Sequence, residues 1–117
     1  GSTMRVVIAN AFSLNMLDLS DGLTDLEVYA TSAELVREEI ATAEECGGEV
    51  VSIVGHADTA ALLTAELGRE VPTNRVSYTM GYDDVLIVGQ YQGPRLPEGT
   101  KELPEGAKIT WVRVTHI

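Results

Sequence analysis

Apolar residues along the chain fall into short β-branched runs separated by polar turns, with two stretches of helical spacing between them. Met4 to Ala9 (MRVVIA) reads as a buried strand that breaks at Asn10. Ser13 then stands near the start of a short helix through Leu14 to Leu17, and Asp18-Leu19-Ser20-Asp21-Gly22 supplies a turn. Leu23 to Ala30 alternates partially, as a second strand does. Thr31 with Glu34 three residues later is a capping-box signature, after which Leu35, Val36, Ile40 and Ala43 recur at helical spacing. The pattern predicts a helix over about residues 32–46, stopped by Gly47-Gly48.

Glu49 to Val54 is the most apolar strand candidate. It leads through Gly55-His56 to Asp58, a residue type that caps helices, and Ala61, Leu62, Ala65 and Leu67 continue a helix closed by Gly68. After the Pro-containing link Val71 to Asn74, Arg75 to Met80 and Val85 to Tyr91 read as two strands around a hairpin turn at Gly81-Tyr82-Asp83-Asp84. Gln92 to Ala107 holds three of the four prolines and repeats Leu-Pro-Glu-Gly, the signature of an ordered loop. Lys108 to Thr115 alternates as a final strand. The expected fold class is α/β: a single compact domain, residues 4–117, with a mixed five- or six-stranded sheet flanked by two or three helices.

Composition narrows the classes. The chain has 117 residues, 44% of them hydrophobic and 22% charged, enough for one domain with its own core. No apolar run approaches the roughly 20 residues of a membrane-spanning helix, so no membrane partner is expected. Gly1-Ser2-Thr3 ahead of Met4 resembles an expression scar, and the single cysteine, Cys46, forbids an intrachain disulfide and suits a reducing cytoplasm. A net charge of −10 has the wrong sign for holding long nucleic acid through a basic surface. A small anion remains compatible, because arginines and a helix N-terminus gathered in one pocket act at short range, where salt screens distant carboxylates over about 8 Å.

Candidate chemistry is sparse. Of the two histidines, His116 sits next to the last residue, whereas His56 lies between a strand and a helix start, where open α/β sheets place ligands. The alternative for His56 is a turn histidine satisfied by a backbone carbonyl. Ser13 lacks the Gly-x-Ser-x-Gly surroundings of a nucleophile; it is either a helix cap or a hydroxyl offered to phosphate. Arg75 and Arg95 stand where a guanidinium could meet a phosphoryl oxygen, or else form surface salt bridges. The carboxylates occur as adjacent pairs, Glu38-Glu39, Glu44-Glu45 and Asp83-Asp84, which do not make a metal site, and no dinucleotide or Walker-type loop is present. Neither metal nor cofactor is expected.

The segment Asn10 to Leu17 (NAFSLNML) resembles the N-terminal motif of the anti-CRISPR ring nucleases of archaeal viruses and bacteriophages, which have cellular relatives in type III CRISPR systems. The resemblance continues at Val54-Gly55-His56 with Thr59 and Leu62-Leu63, at Asn74-Arg75-Val76, and at Arg95-Leu96-Pro97-Glu98-Gly99. It implies a metal-independent phosphodiesterase that cleaves cyclic tetra-adenylate to linear di-adenylate with 2′,3′-cyclic phosphate ends and so silences type III CRISPR signalling. It implies further that His56 and Glu98 are catalytic and that Ser13, Arg75 and Arg95 contact the substrate. The ribose 2′-hydroxyl would attack and His56 would protonate the departing oxygen. The two-fold symmetry of a four-phosphate ring suggests a homodimer. The alternative functions are a protein that sequesters a cyclic nucleotide without cleaving it, and a regulatory interaction module.

Overall fold

Val6, Val7 and Ile8 are buried on both sides, and a strand with no solvent-facing side must sit inside a sheet. The computed structural model describes residues 4–97 and 102–117. In it, β1 (Arg5–Ala9) lies between two parallel neighbours, β3 (Glu49–Ser52) and β4 (Asp84–Gln92), with Val7 opposite Val51 on one side and Leu86 on the other. The free edge of β4 takes β5 (Lys108–His116) antiparallel, and β2 (Leu26–Thr31) pairs antiparallel with β5. The five-stranded order is β2-β5-β4-β1-β3.

Both helices cover one face. In α1 (Ala33–Glu45), Val36, Ile40 and Ala43 recur at helical spacing and are buried. In α2 (Ala57–Leu67), Leu63 and Leu67 join the same core, which meets Val6, Ile8 and Ile87 of the sheet. The opposite face, carrying Val7, Leu86 and Val88, is covered instead by irregular chain that contributes Met16, Tyr78 and Met80. None of the described helices is long and apolar enough to cross a membrane.

The expected α/β class with a mixed five-stranded sheet and two helices is what the structure shows, and three local expectations are corrected. Arg75 to Met80 forms no strand and pairs with none, because β4 already has both edges occupied by β1 and β5. Its alternation comes from lying across the sheet face, where Tyr78 and Met80 point inward. The helix expected around Ser13 is a single 3₁₀ turn at Leu14–Met16. Helix α1 is capped by Ser32, whose hydroxyl accepts from the Leu35 N–H, and Thr31 is the last residue of β2.

Parallel pairing of β1, β3 and β4 puts their three carboxyl ends, and the start of β5 at Lys108, along one edge of the sheet. Arg5, Asp84 and His116 lie along the other.

Candidate functional site

The two edges differ in how their charges are used. At the amino edge Asp84 is buried and fully partnered: Arg5 donates from Nε to Oδ1 at 2.9 Å and from Nη2 to Oδ2 at 2.6 Å. The Tyr78 hydroxyl and the Gly81 N–H donate to Oδ2 at 2.6 and 2.8 Å. Burial alone would raise the Asp84 carboxyl, but Arg5, Tyr78 and Gly81 stabilise the charged form more and hold it below the usual 3.8. Burial, reinforced by the adjacent Asp84, pushes the Tyr78 phenol well above its ordinary value. Three further arginines are committed to the scaffold. Arg113 binds Glu39, Arg69 binds Glu44, and Arg37 donates to the Glu66 carbonyl.

The remaining described cations all belong to the carboxyl edge. The side chains of Arg75, Arg95 and Lys108 form no ion pair or hydrogen bond among the described residues. Arg95 shares a hollow of about 470 Å³ with His56, Asp58, Thr59, Tyr91 and Leu96, a size suited to a nucleotide-scale ligand. The turn that carries Arg95 is fixed from below, since the Tyr91 hydroxyl donates to the Pro94 carbonyl at 2.5 Å. Gly93 is pressed against Ala107, where an added Cβ would meet the Ala107 Cβ at 2.5 Å. Arg75 is exposed and lays its stem across Gly55, whose absent Cβ would stand 3.5 Å from the Arg75 Cγ. Both arginines therefore flank the β3–α2 turn that bears His56.

His56 is exposed and is itself the N-cap of α2, in extended conformation, with no side chain capping the helix. The expected cap, Asp58, sits instead in the first turn. The leading N–H groups of α2 are thus left for solvent or a ligand, and with the helix dipole and Arg95 in the same hollow they favour an anion. Asp58 opposes a phosphate placed directly on it, but its carboxylate can accept from an amine on the same ligand.

Ser13 caps the 3₁₀ turn through its backbone carbonyl, which accepts from the Met16 N–H at 3.1 Å, and its hydroxyl makes no cap bond. It lines a separate hollow of about 420 Å³ with Asn15, Ile53, Val76 and Tyr78. The structure therefore places Arg95 in one hollow with His56 and the Arg75 stem against the adjacent Gly55, while Ser13 lines a different hollow together with Ile53 and Val76. Glu98 lies outside the described residues. His116 belongs to the amino edge, with Nδ1 3.2 Å from the Thr24 hydroxyl and its ring stacked on Tyr82 at 5.4 Å. The hollow beside it is ringed by Asp18, Asp21 and Asp25 and is unsuited to an anion. Among the described residues no group of three or more His, Cys, Asp or Glu side chains is placed to hold a metal ion.

What the sequence did not disclose is the clasp beneath Arg75. Asn74 donates from its backbone N–H to the Val54 carbonyl at 2.8 Å and from Nδ2 to the Ser52 carbonyl at 2.9 Å. The buried Ser52 hydroxyl donates to the Pro72 carbonyl at 2.7 Å. These partners are about twenty residues apart, and no local pattern announces them.

Residues 6–109 match the model of the family described as STIV B116-like. The chain is also similar to a solved structure, B116 of Sulfolobus turreted icosahedral virus (STIV), at 26% identity and a TM-score of 0.77, over 96% of this chain and 99% of that one. No curated protein sequence matches. These findings correct the family expectation, since the matching family is described as STIV B116-like and not as a ring nuclease. Cleavage of cyclic tetra-adenylate, the metal-independent phosphodiesterase class, the catalytic roles given to His56 and Glu98, and the silencing of type III CRISPR signalling were carried by that resemblance alone. They are withdrawn with it.

Proposed function

The chain belongs to the STIV B116-like family, and from that premise we propose that it is a binding protein for a small phosphodiester ligand held at the carboxyl edge of its sheet. The observation that carries this is the division of the cations: four arginines are spent on the scaffold, while among the described residues Arg75 and Arg95 have no ion-pair or hydrogen-bond partner and stand beside the turn that opens an uncapped helix N-terminus, with Lys108, equally without such a partner, on the same edge of the sheet. The net charge of −10 counts against long RNA or DNA and leaves selectivity to this local cluster. Cyclic tetra-adenylate is the first candidate, because it carries four phosphates in a compact ring and its two-fold symmetry meets that of a homodimer. A homodimer is favoured by apolar side chains facing solvent, Val76 beside Arg75 at 53% and Leu14 at 72% exposure, and by Val28 and Tyr29 on the open strand β2. The working place for such a protein is the cytoplasm of a prokaryotic or infected host cell.

Calorimetric titration tests this with cyclic tetra-adenylate, linear di-adenylate, inorganic phosphate and a long single-stranded RNA as probes. The expected result is saturable binding of the ring at one ligand per two chains, weakened about tenfold or more by Arg75→Ala or Arg95→Ala, each of which removes a charge-assisted contact. Absence of binding to every phosphate-bearing probe, or equal binding by the arginine variants, overturns it. Sedimentation of the free protein as a monomer at all concentrations removes the dimer.

A further inference from the structure

We infer that Asn74 is a positioning residue for this site, holding the Arg75 guanidinium in reach of the ligand that His56 faces; the inference rests on the proposed binding function. Asn74 closes a fork on the end of β3. Its backbone N–H takes the Val54 carbonyl at 2.8 Å and its side-chain amide takes the Ser52 carbonyl at 2.9 Å, two residues earlier. The residue before Arg75 is thereby bonded to the residue before Gly55-His56. Ser52 braces the same segment from below, donating its hydroxyl to the Pro72 carbonyl and accepting from the Val54 N–H at 3.2 Å.

Arg75 has nothing else to hold it. It is exposed, makes no ion pair or hydrogen bond among the described residues, and lays its stem against Gly55. A long side chain with several free torsions loses much entropy when it binds, so fixing its backbone in advance raises affinity without any new contact. Asparagine supplies the donor that reaches the Ser52 carbonyl, and aspartate or alanine there cannot.

Two measurements on Asn74→Ala decide the matter. In the free protein, nitrogen-15 relaxation of the Arg75 backbone and Nε should show greater amplitude of motion than in wild type, while Arg95 stays unchanged. With cyclic tetra-adenylate as the probe, Asn74→Ala should weaken binding about fivefold to tenfold, roughly one hydrogen bond's worth of ordering. In the Arg75→Ala background the same change should cost nothing further, whereas with Arg95→Ala the two effects should multiply. A purely structural role would lower the melting temperature and weaken binding equally in both backgrounds, which overturns the inference. So does unaltered Arg75 relaxation. Failure of wild type to bind any probe overturns the binding function itself, and the relaxation data then still decide whether Asn74 orders Arg75. Should Asn74→Ala not fold, Asn74→Ser, which keeps the backbone bond to Val54, takes its place in both measurements.

Discussion

The two edges of the sheet are built from the same residue types and put them to opposite use. At the amino edge one buried aspartate is satisfied by an arginine, a tyrosine and a backbone N–H, so charge there is consumed in tying Arg5, Tyr78 and the 81–84 turn together. At the carboxyl edge Arg75, Arg95 and Lys108 have no ion-pair or hydrogen-bond partner among the described residues, and the first turn of α2 on that edge has no side-chain cap. The two helix N-termini, both of which follow strands running toward the carboxyl edge, differ as well: α1 is closed by the Ser32 hydroxyl and α2 begins at His56 with no side-chain cap. A closed arrangement serves stability; an open one leaves donors that a ligand can take.

The difference can be broken most severely at Asp84. Asp84→Ala leaves Arg5 and Tyr78 without their acceptor and should cost about 3 kcal/mol of unfolding free energy, read by urea denaturation. Arg75→Ala and Arg95→Ala, which remove unpaired exposed groups, should stay within about 0.5 kcal/mol of wild type. Comparable losses at both edges would erase the distinction.

Acid should act through the same aspartate. Its folded carboxyl is held below 3.8, so the unfolded chain takes up the proton first; the stabilisation is present above the ordinary carboxylate range and is lost as pH falls through the lower folded value. Denaturation midpoints between pH 6 and pH 2 should therefore fall more steeply for wild type than for Asp84→Asn. The smallest expected effects concern the caps. Ser32→Ala should cost about 1 kcal/mol, while His56→Ser, which supplies a cap where none exists, should be neutral or stabilising by up to about 1 kcal/mol and should weaken ligand binding by occupying the freed N–H groups. Thermal melts paired with the calorimetric titration check both.

The sequence showed elements whose cause is local and missed those whose cause is distant. β1 and α1 were readable because burial imprints its period on Val6 to Ile8 and on Val36, Ile40 and Ala43. Arg75 to Met80 reads as a strand because period-two alternation arises equally from strand pairing and from irregular chain lying on a sheet face, and only the occupied edges of β4 separate the two. Asp84, marked in sequence only as half of an adjacent acidic pair in a turn, is the anchor of the amino edge, since its partner Arg5 lies 79 residues away. Of the candidate residues, His56 and Arg95 line one hollow and the Arg75 stem lies against Gly55, next to His56. That Arg75 and Arg95 have no ion-pair partner among the described residues is a property no local pattern carries, since it depends on Arg5, Arg37, Arg69 and Arg113 meeting their own distant partners. The short motifs that suggested a ring nuclease pointed to these positions, but membership came out as STIV B116-like.

The most direct measurement of the division between the edges is a nitrogen-15 chemical-shift map of the protein titrated with cyclic tetra-adenylate. Binding at the carboxyl edge predicts that the largest shifts fall on the N–H groups of Gly55 to Thr59, on Arg75, and on Gly93 to Leu96 with the Nε of Arg95. Arg5, Tyr78, Gly81 and Asp84 should remain still. Shifts concentrated at the amino edge, or none anywhere at saturating ligand, would contradict the account.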